Sequence, residues 1–270
     1  MNKGKMNGEN IAIVPQLDYY DLGQGVTAFS STRLGGFSKG RYAEFNINNY
    51  CSDNSDDISM NRRVLCMLLG IDDDRLVMPH QVHGTSMARI DNAFLALSTE
   101  ERQTQMEGFD AIMTNVNRVC IGVSTADCIP ILVYDDEHQA VCAIHAGWRG
   151  TVARIAQKSI AAMTEAYGSC PERLKAQIGP GIGLDSFEVG NEVYEAFREA
   201  GFDMTSISRK EEKWHIDLPL CNRQQLITAG IPPQSIKVAA TCTFQHADRY
   251  FSARKLGIES GRIFSGIMLT

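Results

Sequence analysis

The chain reads as an α/β protein of the α+β type, built on mixed sheets rather than one doubly wound parallel sheet, because strands and helices interleave without a strict βαβ rhythm. Two observations carry this. Three apolar runs, residues 119–124, 130–134 and 140–144, have the length and composition of buried strands. Directly after them Val152, Ile155, Ala156, Ile160, Met163 and Tyr167 follow one helical face.

In chain order, residues 59–69 form the first expected helix, closed by Gly70. Residues 76–78 and 81–82 look extended. In an extended segment His80 and His83 face opposite ways, so only one turns inward, and Gly84 with Thr85 marks His83 as that one. The three apolar runs are expected to be adjacent strands, the last two joined by a turn at Asp135-Asp136-Glu137-His138. Antiparallel neighbours bring the end of one strand beside the start of the other. Cys128 and His145 therefore come together although 17 positions separate them.

The helix after His145 starts at Thr151 and ends at Gly168, and its free N–H groups would attract an anion. The run Ile178-Gly179-Pro180-Gly181-Ile182-Gly183 precedes no lysine and opens no helix, so a turn is favoured over a phosphate cradle. Further helices are expected over 191–200, closed by Gly201, and over 218–229, opened by Asp217 and closed by Gly230. A last strand covers 237–243.

The chain has no low-complexity linker, charge block or repeat, so a single domain over 1–270 is expected, with 1–16 flexible. A net charge of −6 argues against nucleic acid or an acidic membrane as partner. The polar N-terminus carries no secretory signal, and no apolar run approaches the roughly 18 residues of a membrane span, which makes cytoplasm the default. The eight cysteines include no C-x-x-C pair, so most are expected to be buried thiols.

Three side chains stand apart. They are His83 in Gln81-Val82-His83-Gly84, Cys128 in Thr125-Ala126-Asp127-Cys128, and His145 in His145-Ala146-Gly147-Trp148-Arg149-Gly150. Two imidazoles and a thiolate suit a borderline-soft metal, zinc above all, with copper as the alternative. Structural zinc takes four protein ligands, whereas three leave a position open for chemistry. The six histidines are too few for a four-copper oxidase, although a single blue-copper site has its ligands available.

These phrases, in this order, resemble those of the laccase-domain or polyphenol oxidase family, whose members are better described as multifunctional purine nucleoside enzymes. The likeness spans nearly the whole chain. It includes Phe29-Ser30-Ser31-Thr32-Arg33-Leu34-Gly35-Gly36, Asn46-Ile47-Asn48, Asn61-Arg62-Arg63, Phe187-Glu188-Val189-Gly190, Cys242-Thr243, Phe251-Ser252-Ala253-Arg254 and Gly261-Arg262. One departure is visible: many relatives carry a pair of cysteines where this chain has Asp185-Ser186-Phe187. The resemblance implies an α/β/β/α sandwich like that of cysteine-hydrolase toxins, with His83, Cys128 and His145 as metal ligands. It also implies phosphorolysis of adenosine, inosine or methylthioadenosine, and adenosine deamination. The partners would then be purine nucleosides and phosphate, handled by a monomer or weak homodimer.

Each chemistry asks for particular groups. Zinc lowers the pKa of bound water to about 7, and attack on C6 of adenosine then needs a separate carboxylate. Asp127 or Glu188 could serve, with Asp127 equally readable as a hydrogen-bonded turn residue. Phosphorolysis needs an anion site, for which Arg33, Arg63 and Arg149 are candidates. Asn46 joins them as a substrate-binding residue, and Trp148 or Phe251 could stack on a base, core packing being the plainer reading of a lone aromatic. Two other classes stay open. One is a metal-free amidase acting on a peptidoglycan precursor, with Cys128 as nucleophile and His145 as base. The other is a zinc-stapled binding module, which lacks an evident fourth ligand.

Overall fold

The structure, a computed structural model, describes residues 14–270; residues 1–13, most of the segment expected to be flexible, lie outside it. By Gln16 the backbone is already tied in, donating to Leu34 O at 3.2 Å and accepting from Thr32 N at 2.9 Å.

The period of two along a strand sends alternate side chains to opposite faces, and here it sorts the apolar residues into three layers of core. Five strands form one sheet in the order Leu17–Tyr20, Val26–Ser31, Ile263–Leu269, Cys120–Thr125 and Leu76–Val77. Six form the second: Ile236–Val238, Lys175–Ile178, Ile129–Asp135, Ala140–Ala146, Ala111–Thr114 and Met87–Ile90. Both are mixed, with parallel pairing only at their edges. Leu132, Tyr134, Val141, Ala143 and Ile112 of the second sheet meet Ile121, Val123, Ile267 and Leu269 of the first. The opposite face of the second sheet, with Ile131, Val133, Cys142 and Ile144, packs on Ile155, Ile160 and Met163 of the helix Ile155–Tyr167. Phe29, Cys120 and Phe264 on the outer face of the first sheet pack on Leu65 and Cys66 of the helix Ser55–Leu69. The layers therefore run helix, sheet, sheet, helix, the sandwich that the resemblance implied. Among the described residues no helix is long and apolar enough to cross a membrane.

Most expected elements are present. Asn54 caps the first helix, accepting from Asp56 N and Asp57 N, and Gly70 ends it in the left-handed conformation. That helix begins at Ser55, four residues before the expected start, while Asn191–Glu199 and Leu218–Thr228 start as expected and end one residue early, the second capped by Asp217. Three expectations fail. Residues 119–124 and 130–134 do not pair: Cys120–Thr125 and Ile129–Asp135 lie in different sheets, and 126–128 is the passage between them. Both strands are buried on both faces, so no alternation betrays which sheet each joins. The helix expected from Thr151 is two, Trp148–Val152 and Ile155–Tyr167, broken at Arg154 with φ 64°. A tertiary contact wins there: the Arg154 guanidinium donates to Ala200 O and lies 3.6 Å from the centroid of Phe202. The last expected strand shortens to Ile236–Val238, after which Cys242 makes only an isolated bridge to Gly181.

The inter-sheet layer carries the fold. Ile121→Ala, at a fully buried position, is expected to lower the unfolding free energy by about 2–5 kcal/mol. Met67→Ala, on the solvent face of the first helix, should stay within about 0.5 kcal/mol of wild type. Denaturant midpoints at unchanged slope measure both.

Candidate active site

Strand register brings the site together. Ala111 lies opposite Ile144 and Ile129 opposite Ala146, so Asp110 stands beside His145, and Cys128 immediately precedes the paired strand. Asp110 and His145 share the parity of Ile112 and Ala143, which aims both into the end of the inter-sheet layer. His145 Nδ1 meets Asp110 Oδ1 at 2.7 Å. The same carboxylate accepts the backbone N–H groups of Val82 at 3.3 Å, His83 at 2.9 Å and Gly84 at 2.6 Å. Burial opposes its ionisation, but the hydrogen bond and charge of His145, with the Gly84 and Val82 N–H groups, hold it below the usual carboxylate range. Nothing in the sequence marked Asp110.

The expected trio is assembled. His83 Nε2 lies 3.9 Å from Cys128 Sγ, the two imidazoles are nearly perpendicular with centroids 4.8 Å apart, and the ligand atoms of all three residues fall within 4.8 Å of one another. Two glycines permit this. A Cβ on Gly147 would stand 2.9 Å from His83 Cδ2 and 3.1 Å from Cys128 Sγ. One on Gly181 would stand 2.4 Å from Ile129 Cδ1, so the glycine-rich run serves as backbone pressed against the Cys128 turn. The donor set fits a soft metal: a thiol beside two imidazoles, with the Nδ1 of His145 held by a buried carboxylate so that Nε2 is the nitrogen left to coordinate.

Electrostatics separate Cys128 from the other thiols. Burial works against its ionisation, yet the charge of His145 and hydrogen bonds from both histidines outweigh it and bring the thiol below its ordinary range. Burial likewise opposes the charged form of His145, but Cys128 and Asp110 together raise it. Cys66 and Cys142, where burial dominates, are pushed up to about 12.

The trio lies at a cleft of about 650 Å³. Its walls include Trp148, Phe187, Asn48, Tyr50, His80, Thr125, Arg254 and Arg262. His80 and His83 both reach this cleft, against the expectation that only one turns inward. The segment is not a strand: it ends at Val77, His80 keeps only an isolated bridge to Glu107, and His83 adopts φ 62°.

The expected substrate residues divide. Trp148 is in the wall, whereas Arg149 is exposed and stacks 4.3 Å from the centroid of the Trp148 ring. Arg33 donates to Ala43 O and Ala247 O behind the fully buried Phe251, so neither lines the cleft. Arg63 faces solvent beside Asp73. Asn46 is buried and accepts from Asn48 N and Arg262 N, fixing two wall residues from behind. Asp127, at φ 82°, has both oxygens engaged, by Thr243 Oγ1 and by Arg254 N, each at 2.7 Å. Glu188 lies outside the wall, paired with Lys213. The helix expected to offer N–H groups to an anion is only Trp148–Val152. The arginines in the cleft are Arg254 and Arg262, and among the described residues neither forms a salt bridge. Arg254 donates to Glu188 O and Arg262 to Ile258 O. Only their place in the phrases at 251–254 and 261–262 pointed to them.

Fold and site together define a class: an α/β/β/α sandwich with a His–Cys–His cluster of metal-ligand type at the end of its two sheets. Residues 27–270 match the family described as multi-copper polyphenol oxidoreductase laccase, and the chain belongs to that family. It is 47% identical over 247 residues to a purine nucleoside phosphorylase of Bacteroides thetaiotaomicron, covering 90% of this chain and 92% of that protein. It is 42% identical over 255 residues to adenosine deaminase RL5 of an unknown prokaryotic organism, covering 93% and 97%. Among solved structures it is similar to the Bacillus licheniformis hypothetical protein YfiH, with TM-score 0.85 and 27% identity over 91% of this chain and 93% of that one.

Two outcomes are expected from this geometry. In metal-stripped protein, iodoacetamide should label Cys128 before any other cysteine at pH 7, since a lowered pKa keeps thiolate present down through the range where ordinary thiols are protonated. Added zinc should slow that labelling, which peptide mapping would follow. Asp110→Asn should weaken zinc binding by roughly 10–100-fold in competition with a chromogenic chelator, because His145 loses the group that orients it.

Proposed function

We propose that the chain is a single-domain, zinc-dependent purine nucleoside phosphorylase. It would convert adenosine, inosine or methylthioadenosine and phosphate into the free base and ribose or methylthioribose 1-phosphate. The observation that carries this is that one cleft holds both the His83–Cys128–His145 cluster and two arginines, Arg254 and Arg262, that form no salt bridge among the described residues. The relative named a purine nucleoside phosphorylase, at 47% identity, supports the substrate class.

Roles follow from the contacts. Arg254 and Arg262 bind the phosphate dianion, for which guanidinium forks are suited. Trp148 and Phe187 offer apolar faces to the nucleoside. His83, Cys128 and His145 would hold zinc, which supplies Lewis-acid polarisation at the cleft. Asp110 keeps Nε2 of His145 on the cleft side, and Asp127, its oxygens already occupied, fixes the Cys128 turn rather than exchanging protons.

Adenosine deamination is a second activity of the same cleft, supported by the relative named adenosine deaminase RL5. A metal-free amidase acting on peptidoglycan precursors is the rival, because Cys128, His145 and Asp110 are arranged as nucleophile, base and orienting carboxylate. His83 argues against it: a thiol hydrolase has no use for a second imidazole beside the sulfur, and a soft metal does. Polyphenol oxidation by several coppers is disfavoured because the described residues hold one such cluster.

Incubation with inosine and adenosine, with and without phosphate, tests the proposal. Free base and ribose 1-phosphate should form only with phosphate, and adenosine should also give hypoxanthine. Absence of turnover of any purine nucleoside would sink it. Zinc near one equivalent per chain is expected after purification without added metal. Cys128→Ser should lose zinc and activity together, whereas amide cleavage by chelator-treated wild type would favour the thiol mechanism.

A further inference from the structure

The roles above leave His80 unused, although it lines the same cleft. Its Nδ1 meets Glu107 Oε2 at 2.6 Å, so that nitrogen carries the proton shared with the carboxylate and Nε2 is the one left for a ligand. The pair is pinned by backbone: His80 N donates to Met106 O at 2.8 Å, and Gly108 N donates to His80 O at 3.0 Å. The Tyr50 ring stacks on the imidazole at a centroid distance of 4.4 Å and 16° between planes, which fixes the ring's orientation. The next residue, Gln81, is locked by both ends of its amide to the backbone of Ser124, at 2.8 and 2.7 Å.

The plain alternative is a surface ion pair, since the side chains of His80 and Glu107 are 40% and 53% exposed. Such a pair needs neither a stacked aromatic, nor a backbone bridge beneath it, nor a position in the cleft wall. Partial exposure also suits a group that must exchange protons.

Resting on the phosphorylase reading, we infer that His80, oriented by Glu107 and Tyr50, is the general acid that protonates the departing purine. The C1′–N9 bond breaks with its electron pair passing into the base, whose N7 takes the Nε2 proton of the His80 imidazolium, leaving the neutral ring with its remaining proton on Nδ1 toward Glu107. A phosphate oxygen bonds to C1′, and the proton given up by hydrogen phosphate returns to the imidazole. Nothing is oxidised or reduced. A purine that departs unprotonated leaves as an anion, and a positioned acid typically contributes about 10²–10⁴-fold in rate.

The test pairs inosine with 7-methylinosine, whose methylated N7 already carries positive charge, so that its base departs neutral without a proton. His80→Gln in zinc-loaded protein is expected to lower kcat on inosine by about 100-fold or more, and on 7-methylinosine by less than about threefold. Glu107→Gln, at an exposed position that the fold tolerates, should give the same selectivity with a loss of about tenfold. Zinc content and melting temperature matching wild type identify the loss as chemical, and if His80→Gln unfolds, Glu107→Gln carries the test. Equal losses on both nucleosides, or no loss on inosine, overturn this inference and leave phosphorolysis standing. Turnover of neither nucleoside by wild type overturns the phosphorylase reading and this inference with it.

Discussion

One buried carboxylate organises the site. Asp110 gathers the His145 imidazole and three consecutive backbone N–H groups, from Val82 to Gly84, around two oxygens. A carboxylate without solvent is costly unless such donors surround it, and here they come from separate parts of the chain. The left-handed backbone of His83, uncommon for a residue with a side chain, is sustained by the same contacts. The orientation of the His145 ring and the conformation of the His83 loop are therefore not independent of one another.

The second constraint is the passage at 126–128. Because the chain leaves one sheet at Thr125 and enters the other at Ile129, Cys128 falls where the two sheets part. Thr243 and the Arg254 backbone hold that turn through Asp127, and Gly181 lets another segment press against it. The thiol thus stands at the mouth of the inter-sheet layer with support on several sides. Residues more than fifty positions downstream set its location.

Local chemistry was legible in the sequence, and long-range pairing was not. Helix limits at Gly70, Gly201 and Gly230 follow from rules that act within one turn of helix. The approach of Cys128 to His145 follows from a hairpin. Which sheet Cys120–Thr125 joins depends on Ile263–Leu269, more than a hundred residues away, and two strands buried on both faces carry no mark of it. The trio stood out because thiol and imidazole are uncommon and chemically distinctive. Asp110 did not, since a lone aspartate before a strand looks like any turn residue. Arginine is common on surfaces, so Arg33, Arg63 and Arg149 were as plausible as Arg254 and Arg262 until the cleft distinguished them.

The loop bearing His83 has an implication for how such a scaffold changes over evolutionary time. Cys128, His145 and Asp110 are carried by strands of the six-stranded sheet, while the third metal-type ligand comes from a loop that the same Asp110 carboxylate ties down. Losing the imidazole at position 83 would dismantle the His–Cys–His cluster yet leave thiol, imidazole and carboxylate together. Gaining one on a thiol hydrolase of this architecture would do the reverse. A single side chain on a loop thereby decides whether the cleft offers a His–Cys–His cluster or only a thiol, an imidazole and a carboxylate, with the core unchanged.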